Sequence, residues 1–289
     1  MRFTSNRLFS SYNRAVLDLP FSSIKTNQQA VTGSLGIILI PLRDWHINLI
    51  GSTGFRNPNI DDMGKIRTSG SHIIIPAKDI KPEYAYNGEL TVERVLDGYI
   101  RASATVFATL LTNAIVRQAY AYNGLDSMQY QGYWYMVQAN TNAERALVKG
   151  VQMALESDLN TNLAFKSTIN YVVGKDISNN EPLGHIPPIF GQTTISYRIK
   201  KLENKMYLKY NGWKHKRDFS PDGEDKEDEA TKYGYPGWYT VNIQVVYNAG
   251  KYISLQFAVE NIFDQFYKPY ASAIAAPGRN FVVGIRASI

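Results

Sequence analysis

The stretch YIRASATVFATLLTNAIV (99–116) limits what this chain can fold into more than any other feature. Ile100, Ala102, Ala104, Val106, Ala108 and Leu110 fall on one side of an extended backbone. Arg101, Ser103, Thr105, Thr109 and Asn113 fall on the other, with Phe107 among them. A period of two is the mark of a strand with two unlike faces. The pattern returns in YTVNIQVVY (239–247), KYISLQFAVEN (251–261) and NFVVGIRASI (280–289). No segment carries a 3.6 period, so the class is all-β.

The alternation predicts about eleven strands, near 32–42, 45–55, 89–97, 98–118, 132–157, 162–173, 191–200, 204–215, 237–248, 251–262 and 279–289. The fifth is long, and a bulge is expected around Lys149–Gly150. Short connections (41–45, 96–99, 157–162, 200–205, 247–251) alternate strictly with long ones (56–88, 119–131, 174–190, 215–236, 263–278). An antiparallel up-and-down barrel in a membrane has short turns at one end and long loops at the other. A compact sandwich rarely carries so many long loops at one end.

Three features assign the apolar face to lipid rather than to a closed core. The opposite face is strongly polar: Arg101, Lys166, Asn170, Arg198, Lys205, Lys209, Asn242, Gln244 and Arg286. The apolar face uses small residues freely (Ala102, Ala104, Ala108, Ala287), which a close-packed core would have to fill. Aromatic residues gather at strand ends, with Trp45, Tyr99, Tyr247 and Tyr252 by the short turns and Trp213, Trp238 and Tyr239 by the long loops. Two such belts fit a transmembrane β-barrel.

An odd strand count departs from the even count of bacterial barrels. An unclosed sheet leaves edges in hydrocarbon, so the expectation is a partial barrel. Charged residues make up 19% of the chain, below the usual quarter, and the net charge is +6 without a basic stripe. Nucleic-acid binding is therefore not expected. With no cysteine, thiol catalysis and Cys-based zinc sites are excluded. His46, His72, His185 and His215 are too scattered for a metal-ligand spacing. No catalytic constellation, metal site or bound cofactor is expected, and the chain does not read as an enzyme.

Several ordered stretches resemble the C-terminal half of TonB-dependent outer-membrane receptors, in the style of Bacteroidetes. GFRNPN (54–59) resembles the family's Gly-Phe-Arg-Ala-Pro-Asn box, with Phe55, Arg56, Pro58 and Asn59 in place and Asn57 for the usual Ala. IPAKDIKPEYAYNGELTVER (75–94) resembles its second box at Lys81, Pro82, Glu83 and Glu89, with Ala77–Lys78 where Asn-Pro is usual. VENIFDQFYKPYASAIAAPGRNFVVGIRASI (259–289) resembles the family's C-terminus through Asn261, Phe263, Asp264, Pro277, Gly278 and Arg279. The resemblance implies that 1–289 is the C-terminal portion of a 22-stranded barrel, with 1–31 as loop and the remnant of a preceding strand.

The resemblance further implies location in the bacterial outer membrane and TonB-dependent uptake of an iron complex, siderophore or haem. Implied partners are outer-membrane lipid and lipopolysaccharide, the missing N-terminal barrel half, and the TonB energy-transducing complex through a plug absent from this chain. A haem or ferric siderophore would be cargo rather than cofactor. Haem-uptake members place an axial His between the two boxes, which points to His72, with Tyr84 and Tyr86 at the start of the next strand. Arg56 and Arg279 resemble arginines at strand tops and are expected to pair with loop carboxylates, with Arg56 also a ligand-binding candidate beside His72, Tyr84 and Tyr86. The run DGEDKEDE (222–229) reads as a solvated loop tip and, second, as a cation site. YNGWKHKRD (210–218) reads as ordinary loop charge and, second, as a site for anions. Two other functions remain open: a passive porin-like barrel, and a soluble carbohydrate-binding β-sandwich.

Overall fold

The computed structural model describes residues 1–11, 23–77 and 80–287, with the side chains of residues 143 and 144 left out. The strands in chain order are β1 (Arg2–Ser11), β2 (Ser23–Thr32), β3 (Ser34–Leu39), β4 (Trp45–Arg56), β5 (Arg67–Ser69), β6 (His72–Ile75), β7 (Glu83–Leu96), β8 (Ile100–Ala119), β9 (Ser127–Tyr130) and β10 (Tyr133–Asp158). Then come β11 (Leu163–Asp176), β12 (Glu181–Pro182), β13 (Phe190–Ile199), β14 (Leu202–Asn211), β15 (Lys214–His215), β16 (Gly234–Tyr235), β17 (Trp238–Asn248), β18 (Ile253–Glu260) and β19 (Asn280–Ala287). One short helix, α1 (Ile60–Met63), follows β4.

Eleven of these strands pair in the order β19–β18–β17–β14–β13–β11–β10–β8–β7–β4–β3, each antiparallel to its neighbour. The sheet is open, with β3 and β19 as its edges. Residues 40–44, 97–99, 159–162, 200–201 and 249–252 make the short turns, and residues 57–82, 120–132, 177–189, 212–237 and 261–279 make the long connections at the other end. In the β7–β8 turn Asp97 (φ 49°) and Gly98 (φ 78°) are both left-handed. That conformation lets a tight turn follow the strands' twist.

The register carries one chemistry along each side of the wall. Ile47, Val92, Ala104, Met153 and Ile169 lie opposite one another across five strands, and Leu255 and Phe257 meet Ile285 and Val283. The alternate set puts Arg101 against Glu156, Glu156 against Lys166, Lys166 against Thr194, Thr194 against Tyr207 and Tyr207 against Asn242. Four lumen-side cations are paired: Lys166 with Glu156 (2.5 Å), Arg101 with Glu93 (3.6 Å), and Arg198 and Lys205 with Glu203 (3.3 and 3.2 Å).

Two expectations change. The β10 ladder runs without a slip from Gln138–Ala119 to Ser157–Ile100, straight through Lys149–Gly150, so there is no bulge there. Gly150 lies under the Phe107 ring, where a Cβ would sit 2.7 Å from it, so the glycine gives room to an aromatic rather than kinking the strand. Residues 1–31, expected as loop and strand remnant, hold a two-stranded antiparallel hairpin, β1 with β2, from Arg2–Thr32 to Ser11–Ser23. Lys78, Ser288 and Ile289 lie outside the described residues, and the lipid-facing set is described as far as Ile285 and Ala287.

β8 (20 residues) and β10 (26 residues) exceed the roughly 9–11 that a tilted strand needs to cross a bilayer, and they rise beyond it on the long-loop side. The buried apolar cluster is up there. Met63, Ile73, Ile75, Ile80, Met128, Val137 and Ala139 pack together, joined by Ile24 of β2 and Leu8 of β1. The wall's own apolar residues, such as Leu49, Met153, Phe257 and Ile285, stay exposed because their partner is lipid. An arginine at Ile243, midway along β17, should cost about 2–4 kcal/mol, and one at Gln256 on the lumen face close to nothing. Urea unfolding of the lipid-embedded protein checks this, and a larger cost at Gln256 than at Ile243 would mean the faces are reversed.

Candidate functional site

The long connection 57–82 folds back over the mouth. After β4, Asn59 caps α1: its Oδ1 accepts the Asp62 N–H (3.0 Å), and the Asp62 carboxylate accepts the Asn59 N–H (2.9 Å). This reciprocal cap satisfies two free helix-end donors. Asp62 also binds Arg56 (2.8 Å), and Arg56 pairs with Glu83. Glu83 in turn accepts the Ile115 N–H (2.6 Å). The two boxes are thus one polar knot, with Arg56 at its centre. Asn142 of β10 clamps the backbone beside it, accepting from Lys81 N–H (2.6 Å) and donating to the Lys81 and Asn113 carbonyls (2.9 and 2.7 Å). Pro58 and Pro82 are buried against this frame. Glu89 lies lower on the lumen side, accepting from Thr91 (3.4 Å).

The C-terminal motif is a second clamp. Asn261 accepts the Gln265 N–H (3.0 Å) and donates to the Gln265 and Pro277 carbonyls (2.9 and 3.4 Å). Asp264 accepts the Arg279 N–H (2.7 Å), and a Cβ at Gly278 would lie 2.5 Å from the same carboxylate oxygen, so the close approach needs glycine. The Arg279 guanidinium donates to the Ile262 carbonyl (2.9 Å) rather than to a carboxylate. Phe263 is exposed.

The run 222–229 is not a solvated tip at Asp225, which is 1% exposed. Its carboxylate accepts from the Tyr270 hydroxyl, the His185 N–H (2.9 Å) and the Ser220 N–H (2.8 Å). Glu224 pairs with Arg117 (2.6 Å) and His185 (3.0 Å). Lys214 is buried, donates to the Ile186 carbonyl (2.8 Å) and sits 5.2 Å from the centre of the Tyr270 ring. Three long connections are tied to β8 in this way. Burial pushes the Asp222 carboxyl up and the Lys214 ammonium down, and lifts the Tyr235 hydroxyl to about 12. The ordinary loop charge expected of 210–218 holds at Lys216 and Arg217, which pair with Glu227 (2.5 Å) and Asp218 (3.8 Å).

His72 opens β6, which pairs in parallel with β10 while β8 holds β10's opposite edge. Ile73 and Ile75 point into the buried cluster with Val137 and Ala139. The alternate side presents His72 beside Met136, and Trp134 two residues before it. Trp134 and Met136 are 69% and 50% exposed, so this face is open. The His72 Nδ1 is 3.4 Å from Ser71 Oγ, and among the described residues Nε2 has no partner. Tyr84 and Tyr86 go elsewhere. Tyr84 packs on Phe55 (5.2 Å) and donates to the Gln29 carbonyl (3.3 Å), and Tyr86 lies between Thr53 and Leu110 on the outer wall. Met136 and Trp134 were not singled out from sequence. Their i, i+2 spacing in YWYM was the available signal, but the parallel pairing that brings His72 to them leaves no mark in the sequence.

A wall with one apolar and one wet face, short turns below and clamped long loops above, defines part of an outer-membrane β-barrel. A family model described as "TonB dependent receptor-like, beta-barrel" matches residues 1–262, and the chain belongs to that family. It is similar to the "Probable hemoglobin and hemoglobin-haptoglobin-binding protein 4" of Haemophilus influenzae, 26% identical over 83% of this chain and 25% of that protein. It is also similar to the "Iron-regulated outer membrane virulence protein" of Vibrio cholerae, 24% identical over 83% of this chain and 37% of that protein. Among solved structures, "Copper transporter OprC" superposes with a TM-score of 0.75 at 16% identity, over 94% of this chain and 41% of its own. The ferric enterobactin receptor PfeA of Pseudomonas aeruginosa gives 0.72 at 17%, over 92% and 41%. The chain thus spans about a quarter to two-fifths of the length of these proteins. Its place is the bacterial outer membrane, with the long loops outward.

Glu83→Ala leaves Arg56 with Asp62 alone and the Ile115 N–H without its acceptor, and amide exchange over 57–82 should quicken about 10- to 100-fold. A burial-raised carboxyl makes the native loops bind more protons than the opened ones. Loop protection should therefore fall as pH rises from the ordinary carboxylate range through the raised value of Asp222. Asp222→Asn should flatten that fall, read by exchange over 212–237 at successive pH values.

Proposed function

We propose that the chain forms the C-terminal wall and outer mouth of a receptor that takes up an iron complex across the outer membrane, and that haem is the cargo. The observation that carries this is the open His72 Nε2 on one exposed face with Met136 and Trp134. Imidazole and thioether are both haem-iron ligands, and an indole gives a flat face for a porphyrin. Relatives named for haemoglobin binding and for iron regulation support the reading. The recess between the loops, about 390 Å³, is lined by Asp61, Asp62, Glu83, Asp222 and Glu224 against Lys65, Arg67 and Arg117. That excess of carboxylates disfavours a highly anionic siderophore chelate there.

The receptor binds and passes on its cargo and performs no catalysis. Energy for the inward step comes from the TonB complex through a plug carried on the other part of the receptor, together with the rest of the barrel. Arg56 holds the loop that carries His72 and does not itself meet the cargo. Hemin titration of the purified receptor tests the reading: a saturating Soret shift is expected, lost in His72→Ala and weakened about tenfold in Met136→Ala. An unchanged Soret shift in a correctly folded His72→Ala protein would remove haem from this face.

A further inference from the structure

Resting on haem as the cargo, we infer that Arg67 binds a propionate of the porphyrin and so fixes which way round the ring sits at His72. β5, β6 and β10 pair side by side above the wall, and the face that carries His72 is built of rungs. Ser69, His72 and Met136 make one rung, and Arg67, Ile74 and Gln138 make the next one inward. Residues opposite one another on paired strands share a face, so Arg67 stands on the side that presents His72. It lies two residues, about 7 Å, along the strands from His72 and one strand, about 5 Å, across. Ile74 is buried, and together with Arg67 it continues this face into the lining of the recess.

The two ends of this face carry opposite charge. At the outer end Trp134 stands two residues before Met136, level with the β5–β6 turn. Asp228 meets that turn at Gly70 (φ 53°), where a Cβ would lie 2.9 Å from its Oδ2. Among the described residues no cation lies within ion-pair distance of Asp228. At the inner end Lys65 pairs with Asp61 (3.3 Å) and Arg117 with Glu224 (2.6 Å). Asp62 and Glu83 are held by Arg56, and burial favours the uncharged form of Asp222. Arg67 is exposed, and among the described residues no carboxylate lies within ion-pair distance of it. The open charge at the inner end is therefore positive.

Haem has the matching polarity. With the His72 imidazole on the iron, the ring lies across this face, centred over the histidine. Both propionates leave from one edge of the ring, and the opposite edge carries only methyl and vinyl groups. Turning the propionate edge to Arg67 sets the apolar edge over Trp134. The reverse placement would put two carboxylates beside Asp228 and leave Arg67 without an anion. A guanidinium takes a carboxylate through two parallel N–H donors, a geometry that an ammonium cannot reproduce.

Titration of the purified receptor with hemin and with hemin dimethyl ester, followed at the Soret band, tests this. Wild type should bind hemin about tenfold tighter than the ester. Arg67→Ala should bind hemin about tenfold more weakly and lose the preference for the free acid. Its Soret position should stay that of wild type, because His72 is still the ligand. Arg67→Lys should recover only part of the loss. Equal binding of hemin and ester by wild type overturns the inference, and so does an Arg67→Ala protein that keeps the preference for the free acid. In either case a Soret shift that is lost in His72→Ala leaves haem standing as the cargo. No Soret shift with either ligand in wild type removes the cargo and the propionate site together. If Arg67→Ala does not fold, as judged by loss of heat-modifiable mobility, the two ligands compared on wild type and Arg67→Lys decide.

Discussion

Hydrocarbon gives a peptide group nothing to bond to, so each strand of this wall must send its N–H and C=O groups to the next strand along its whole submerged length. The other features follow from that demand. With the ladders unbroken, the side of every side chain is fixed by counting, and a slip of one residue would exchange the two faces. Arg101, Lys166 and Lys205 would then meet lipid, and Val106, Ile169 and Met206 would meet water. The straight register through Lys149–Gly150 is therefore part of what keeps the wall amphipathic.

Above the bilayer the demand reverses. Water returns, the long connections lose the ladder, and their backbone groups need other partners. They find them in a few short polar side chains. Glu83 takes the Ile115 N–H, Asn142 holds both sides of Lys81, Asn261 closes the last long loop, and Asp225 gathers three donors from three segments. These clamps hold α1 and β6 over the mouth, so that Ile73 and Ile75 are buried while His72 is presented. The apolar core sits among the loops for the same reason: only there do apolar side chains face one another rather than lipid.

The wall was legible in the sequence because lipid writes a simple code. Ile100 to Leu110 and Tyr239 to Tyr247 alternate cleanly, and the eleven paired strands fall close to where alternation placed them. The family resemblance rested on residues that prove to be clamps, namely Arg56, Asn59, Glu83, Asn261 and Asp264, so it spoke of loop architecture more than of cargo. What stayed hidden was tertiary. Nothing in DGEDKEDE shows that Asp225 turns inward to Tyr270, because a charged run looks the same whether solvated or satisfied. Nor does sequence show that β6 pairs with β10 across a connection of many residues, which puts Met136 beside His72, while the β7 register sets Tyr84 and Tyr86 on the outer side. The bulge expected around Lys149–Gly150 is absent because Gly150 makes space for the Phe107 ring within an unbroken ladder.

The two free edges carry a directional consequence. β3 leads into a short turn and β19 follows a long connection, so both edge strands point the same way, toward the periplasm. Two copies of this sheet brought edge to edge around a common axis would set β19 against β3 in parallel, which an up-and-down barrel does not accept. The sheet is thus chemically unable to complete itself by dimerising. Whatever seals it must bring an odd number of strands, and its own two borders must both climb toward the cell exterior.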